Sequence, residues 1–250
     1  MRPSLEVRSL VHSYPGPPPV PVLAGIDLVV APGEFVSVVG PSGCGKSTVL
    51  RVLAGLLAPT GGTACVGGES TVERPGLVGY QPQRDLLLPW RRAIGNAVLG
   101  AEIAGLPLVA ARERAAVLFP RFGLAGFEEA WPAQLSGGMR QRLALLRTFL
   151  LDRSVLLLDE PFGALDAITR RQMYAWLQEV WLADGRTVLF VTHDVEEALY
   201  LSDRVVVLSG RPARVLMDLD VPLARPRRPD VVGRPEFVAA KAALLAALDS

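Results

Sequence analysis

The octapeptide Gly40-Pro41-Ser42-Gly43-Cys44-Gly45-Lys46-Ser47 constrains this 250-residue chain more than any other stretch. It fits the pattern G-x-x-x-x-G-K-[ST], and its flanks agree with it. Phe35 to Val39 reads as a buried strand rich in β-branched residues, and Ser47 to Leu57 as a helix with Val49, Leu50, Leu53 and Leu57 on one face. Glycines let such a loop curl until successive backbone N–H groups converge on one anion, and the following helix turns its positive end to the same point. Lys46 then supplies a point charge at the β- and γ-phosphates, and Ser47 a hydroxyl for Mg²⁺. Of 26 basic residues only Lys46 and Lys241 are lysine, which adds weight to Lys46. The loop residues Gly40 to Ser47, with Thr48 behind them, are the predicted nucleotide cradle. Cys44 within it reads as a reactive thiol beside a helix N-terminus and a lysine, or as a small space-filler.

A second feature lies far downstream. Val155-Leu156-Leu157-Leu158 is a buried strand that ends in Asp159-Glu160. Adjacent carboxylates at the end of a buried strand are costly unless they bind something. Beside a phosphate loop, Asp159 is expected to hold Mg²⁺ and Glu160 to polarise an attacking water.

The rest of the chain arranges itself around these two points. Leu5 to Leu10 alternates like a strand, Pro15 to Pro21 reads as an exposed loop, and Val22 to Val30 is apolar. Residues 84–151 turn helical. Strand, helix and strand then follow at Val155–Leu158, Thr169–Leu182 and Val188–Thr192, which implies a parallel crossover, with a further strand at Val205–Leu208. From Pro222 prolines alternate with Arg225, Arg227, Arg228 and Arg234 before an Ala/Leu helix at Phe237–Leu248; this tail is expected to be solvated, packing one helix on the core.

Composition closes off other classes. Half of the residues are hydrophobic and the formal net charge is +1, so neither a disordered chain nor a nucleic-acid binder built on basic excess fits. Two cysteines make no disulfide framework. Met1 to Tyr14 has no apolar signal segment, and no run of about 18 apolar residues could span a membrane. A reducing cytoplasm fits best.

Leu135-Ser136-Gly137-Gly138-Met139-Arg140-Gln141 resembles the signature of the ATP-binding cassette (ABC) ATPases, at the family's usual place before the acidic strand. Physically, Ser136 with Gly137 and Gly138 makes a second anion-binding helix terminus. The resemblance covers about residues 4 to 215. It implies an α/β fold: a P-loop NTPase (RecA-like) core, an antiparallel β subdomain and an α-helical subdomain inserted at about 84–151. The cassette would span 1–222, followed by the 223–250 tail.

The resemblance also implies a head-to-tail homodimer in which each ATP lies between the phosphate loop of one chain and the signature of the other. It makes Gly163-Ala164-Leu165-Asp166 the D-loop, with Asp166 reaching across the dimer. His193 becomes the switch histidine on the γ-phosphate, and Tyr14 the aromatic that stacks on adenine. Two glutamines, Gln81 and Gln83, compete for the Q-loop; counting back from Leu88-Pro89-Trp90, as in related importers, selects Gln83. Glu160, His193 and Gln83 are thus the expected catalytic residues, and Ser47, Gln83 and Asp159 the expected metal ligands.

A single cassette without fused membrane helices or an inserted coiled coil resembles the energy subunit of a bacterial importer. Its expected partners are transmembrane permease subunits at the cytoplasmic face of the membrane and, indirectly, a solute-binding protein, with no nucleic acid. Leu86-Leu87-Leu88-Pro89-Trp90 and the Arg/Pro tail look like the nitrate/sulfonate/taurine group. Gln83-Arg84-Asp85 and Leu146-Arg147-Thr148 look closest to the branch for thiamine pyrimidine precursors. Trp90 and Leu86 to Leu88 are the expected anchors for a permease helix. A regulatory ATPase without a permease is the alternative; a small-molecule kinase leaves the Ser136-Gly137-Gly138 element unexplained.

Overall fold

The computed structural model describes residues 4–163 and 165–249. Two sheets stack around a phosphate-loop helix. The smaller is antiparallel, in the order β2-β1-β4-β5, from β1 (Leu5–Tyr14), β2 (Val20–Val30), β4 (Gly61–Val66) and β5 (Glu69–Ser70). The larger runs β10-β9-β3-β8-β7-β6, from β3 (Phe35–Val39), β6 (Gly79–Gln81), β7 (Val155–Asp159), β8 (Thr187–Val191), β9 (Arg204–Leu208) and β10 (Val215–Asp220). All its pairings are parallel except that of the edge strand β10. The Pro15–Pro21 loop is shorter than expected, because β2 starts at Val20 and Pro21 pairs with Ser13. β2 is an edge strand, where a missing N–H costs no ladder bond.

Alternation along the central strands divides the interior. Phe35 and Val39 face the helical side, while Val36 and Val38 face α1 (Lys46–Leu53) and the antiparallel sheet. Leu156 and Leu158 of β7 divide from Val155 and Leu157 in the same way. α1 stops at Leu53, short of the expected Leu57. Gly55 adopts φ +73, and Leu56 N–H returns to Arg51 O at 2.9 Å, so a left-handed glycine closes the helix early. A Cβ at Gly55 would stand 2.6 Å from the Arg74 backbone, so only glycine fits.

The helical stretch forms α2 (Ala93–Ala97), α3 (Leu99–Ile103), α4 (Leu108–Arg121) and α5 (Gly137–Phe149). Phe119, Phe122 and Phe149 join α4 and α5. α6 (Ala167–Asp184) is longer at both ends than the sequence pattern predicts. Asp166 caps it by accepting from the Ile168 and Thr169 N–H groups, and Gly185 at φ +72 ends it. α7 (Val195–Leu201) and α8 (Pro235–Leu248) complete the fold.

The Arg/Pro segment departs from expectation in part: Arg228 and Arg234 are exposed and α8 packs on the core as expected, but Arg225 and Arg227 are knitted into the interior. Arg227 is 3% exposed and donates to the carbonyls of Leu199, Ser202 and Leu223. Two of these are orphan acceptors at the end of α7, where a cation also meets the negative end of the helix. Gln178 clamps the Arg227 backbone from both sides at 2.8 Å. Arg225 pairs with Asp203 at 2.7 Å and lies over the Trp181 ring. Burial, then the charge of Arg225, pulls the Arg227 guanidinium down to about 10. Phe237 and Leu244 of α8 are sealed in the main core.

Arg227→Ala strips several buried carbonyls of their donor at once. Denaturant unfolding should show a loss of about 3 kcal/mol, the scale of a broken buried polar network, with the m-value unchanged.

Candidate nucleotide site

The parallel sheet sets the site. The loops after β3, β6, β7 and β8 leave the same edge, so the phosphate loop, Gln83, Asp159-Glu160 and His193 converge although 153 positions separate Gly40 from His193. A cleft of about 440 Å³ opens there, lined by Tyr14, Lys46, Ser47, Gln83 and Glu160 among others.

Within the loop, Gly45 has φ +126, and a Cβ on it would lie 2.8 Å from Val22 Cγ1. Lys46 is 5% exposed, and its Nζ donates to Gly40 O and Pro41 O at 2.8 and 3.0 Å. Ser47 Oγ donates to Asp159 Oδ1 at 3.0 Å, and Tyr80 donates to the other carboxylate oxygen at 3.4 Å. Asp159 is 3% exposed, and burial raises its pKa against the opposing bond from Ser47. No ion pair reaches it among the described residues. One hydroxyl beside one buried, unpaired carboxylate suits a hard cation that keeps its remaining sites for water and phosphate oxygens, so the residues present fit Mg²⁺.

Glu160 follows β7 at φ +43, a backbone region disfavoured for a residue with a Cβ. Its N–H is fixed on Val191 O at 2.9 Å. Its Oε2 accepts from Gln83 Nε2 at 3.3 Å and lies 3.1 Å from His193 Nδ1. One carboxylate oxygen thus gathers the three residues expected to be catalytic. The two glutamines separate cleanly. Gln81 is fully buried and donates to Gln141, whereas Gln83 reaches Glu160 and lines the cleft.

Tyr14 lies at the other end of the cleft, its hydroxyl 3.3 Å from Thr48 Oγ1 and its ring edge-on to His12. Ser136 caps α5 by accepting from Met139 N–H at 3.2 Å, with Gly137 and Gly138 in the first turn. None of Ser136, Gly137, Gly138 or Asp166 lines the cleft, so the Ser136 helix end stands apart from the phosphate loop within one chain. Ala164 of the expected D-loop lies outside the described residues.

Sequence reasoning missed Arg51 and Arg211. Arg51 lies one turn beyond Ser47 on α1, so helical spacing pointed to it. Arg211 donates Nε to Gly43 O at 3.0 Å from a turn 168 residues away, and no local pattern announces it. Arg147 and Asn96 were missed as well. Arg147 donates to Asp85 O and Leu86 O, and Asn96 bonds both backbone groups of Leu88, so the segment after Gln83 is tied to α5 and α2. The reactive-thiol reading of Cys44 is corrected: its side chain is 2% exposed and packs in the core behind the loop.

The fold and cleft define a phosphate-loop nucleotide-binding cassette. Comparisons with known proteins agree. The ABC transporter family profile matches residues 23–163. The aliphatic sulfonates import ATP-binding protein SsuB 1 of Rhodococcus jostii is 51% identical over 226 residues, which cover 89% of this chain and 85% of its own. The uncharacterized ABC transporter ATP-binding protein MJ0412 of Methanocaldococcus jannaschii is 47% identical over 209 residues, 83% of this chain and 78% of its own. The dimeric structure of MJ0796, a bacterial ABC transporter cassette, matches with a TM-score of 0.77 at 28% identity, over 88% of this chain and 100% of that one. The same cassette in a post-hydrolysis state bound to ADP and Pi matches equally well. The chain belongs to the ABC transporter family and is an ATP-binding cassette ATPase.

In the native protein Cys44 should resist alkylation while the half-buried Cys65 reacts. Mass-spectrometric footprinting, with and without denaturant, reads this directly; rapid native labelling of Cys44 would show that the loop opens.

Proposed function

We propose that this chain is the energy-coupling subunit of an importer, working as a head-to-tail homodimer on separate permease subunits at the cytoplasmic face of the membrane. A solute-binding protein on the other side delivers the cargo. The observation that carries the reading is the Glu160 carboxylate, gathered with Gln83 and His193 at the mouth of the phosphate-loop cleft, while the Ser136 helix end stands apart. Such a chain holds half of two sites, and two copies complete both. The dimeric structure of the similar cassette MJ0796 supports this arrangement.

The roles follow from the geometry. Backbone N–H groups of the Gly40–Ser47 loop, Pro41 having none, orient the polyphosphate with Thr48, and Lys46 exchanges two neutral carbonyls for phosphate oxygens. Tyr14 offers its ring to the base. Ser47, Asp159 and Gln83 would hold Mg²⁺, which when bound neutralises charge on the β- and γ-oxygens. Glu160 takes a proton from the water that attacks the γ-phosphorus as the bond to the ADP oxygen breaks. His193 orients the γ-phosphate, and Ser136, Gly137, Gly138 and Asp166 close the site from the second subunit. Catalysis is mostly positioning and charge stabilisation.

An apolar groove of about 570 Å³ lies beside the cleft, lined by Leu86, Leu99, Ile103 and Leu151 with Arg147 at its edge. It is the expected seat of a permease helix. Leu86 lines it; Trp90, 70% exposed, stands outside, and Leu87 packs into the core. Leu86, with Ile103, therefore replaces Trp90 as the principal anchor. For cargo we favour alkyl sulfonates over nitrate or pyrimidine precursors. Four relatives at 46–51% identity carry aliphatic-sulfonate import names.

Lys46→Ala should abolish ATP binding by calorimetry. Glu160→Gln should bind ATP, lose about 100-fold or more in turnover, and accumulate as a dimer in size-exclusion chromatography with ATP. Normal turnover in Glu160→Gln overturns the base assignment.

Leu86→Asp with Ile103→Asp should leave the ATPase of the isolated chain intact and abolish sulfonate uptake in cells. Uptake at the wild-type rate would remove the groove as the docking seat.

A further inference from the structure

Behind His193 lies a small pocket whose walls include Arg170, Thr192, Asp194 and Glu197. Glu197 belongs to the first turn of α7 and is 4% exposed. Thr192 donates its hydroxyl to Glu197 Oε2 and accepts the Asp194 N–H at 3.0 Å. Asp194 Oδ1 in turn accepts from the N–H groups of Glu196 and Glu197 at 2.9 and 3.1 Å. The turn that presents His193 is therefore fastened on both sides to one residue, by its side chain and by its backbone.

The surroundings of that carboxyl are poor for a charge. Glu197 Oε1 has no hydrogen-bond partner, and Glu197 joins no ion pair among the described residues. Arg170 of α6 shares the pocket but is engaged elsewhere, donating to Leu165 O at 2.9 Å and pairing with Asp194 at 3.6 Å. Its buried Nε is itself unpartnered. Tyr174 of α6 lies outside the pocket but feels the carboxyl, its phenol held above the usual range by burial and then by Glu197. Lys241 of α8 pairs with the neighbouring Glu196 at 2.6 Å. β3 brings no titratable group, Arg204 of β9 is held by Glu34 and Asp218, and Asp230 pairs with Arg234. A buried carboxyl so placed keeps its proton, because an ionised one would need a cation or several donors. Burial pushes Glu197 up to about 8 against the bond from Thr192; the charge of Asp194 adds to the push, Arg170 opposes it, and Glu160 adds the least.

We propose that Glu197 is a positioning residue for hydrolysis: through Thr192 it holds the turn that sets His193 against Glu160, and it holds it only while its carboxyl is neutral. Ionisation adds a negative charge facing Glu160 and Asp194 and draws the free Nε of Arg170. Arg170 then leaves Leu165 O and Asp194, and the His193 turn loosens. The sign follows from the raised pKa: the ordered form is present below it and is lost as pH rises through it. The inference rests on Glu160 and His193 being the hydrolytic pair.

The test uses the full chain in two measurements. ATPase rates across about pH 6.5 to 9.5 should fall along an alkaline limb in the wild type. Glu197→Gln, isosteric and neutral at every pH, should keep at least about half the neutral-pH rate and lose that limb. Glu197→Ala should lower kcat about tenfold while the KM for ATP changes less than about twofold, the mark of a displaced catalytic group. The second measurement needs no turnover. The chain has two histidines, so the His193 imidazole resonance is readily followed by NMR. It should carry an inflection near pH 8 in the wild type that is absent from Glu197→Gln. Identical rate profiles and identical His193 curves in the two proteins would overturn the proposal, as would an unchanged kcat in Glu197→Ala. Normal turnover in Glu160→Gln would strike the hydrolytic pair alone, and the NMR comparison would still decide the role of Glu197.

Discussion

Parallel pairing of β3, β8, β7 and β6 is the constraint on which the rest of this molecule depends. Each strand delivers its C-terminal end to one edge, and each of the four following loops carries a residue of the site. The arrangement costs long crossovers, because parallel strands cannot be joined by tight turns. One crossover is α6 between β7 and β8; another, between β6 and β7, contains the whole helical unit. The site is therefore assembled from distant sequence, yet its rigidity comes from a sheet buried on both faces.

Tying the exposed segment between β6 and α2 to α5 gives it a mechanical character. Gln83 touches Glu160, and three residues later Leu86 lines the apolar groove. Between them Arg140 pairs with Asp85, and Arg147 holds the carbonyls of Asp85 and Leu86. Both arginines belong to α5, whose first turn carries Gly137 and Gly138. On the proposed function, a partner helix in the groove bears on a segment joined at one end to the hydrolytic carboxylate and along its length to the helix that closes the neighbouring site. Short backbone distance and the guanidinium bonds to α5 transmit such a displacement, where an untethered loop would absorb it.

Much of this was legible in the sequence because its carriers are local. The phosphate loop, the strand ending in Asp159-Glu160 and the cap Ser136 are each defined by residues within one turn or strand. What stayed hidden is non-local. Arg227 looks like one more arginine in a polar tail until the carbonyls at the end of α7 are seen to need donors. Arg211 reaches Gly43 only because the β9–β10 turn folds over the loop. Cys44 stands in a motif that suggests reactivity, yet the loop's curl turns its side chain inward while its backbone serves the cradle. The α1 boundary failed for a local reason: apolar spacing continued through Leu57, but the left-handed Gly55 had already ended the helix.

Three buried ionisable groups show three solutions to one problem. Arg227 is charged and satisfied permanently by helix-end carbonyls, so it is structural. Lys46 is satisfied by Gly40 O and Pro41 O, neutral acceptors that an anionic oxygen outcompetes, because the anion adds charge–charge attraction to the hydrogen bond. Glu197 takes the third course. With neither a cation nor enough donors, burial is tolerable only if the charge is removed, and the proton then becomes part of the structure. A site that must admit and expel a highly charged ligand at every cycle needs the second kind of group at its centre, and it can use the other two only as the frame that holds the centre in place.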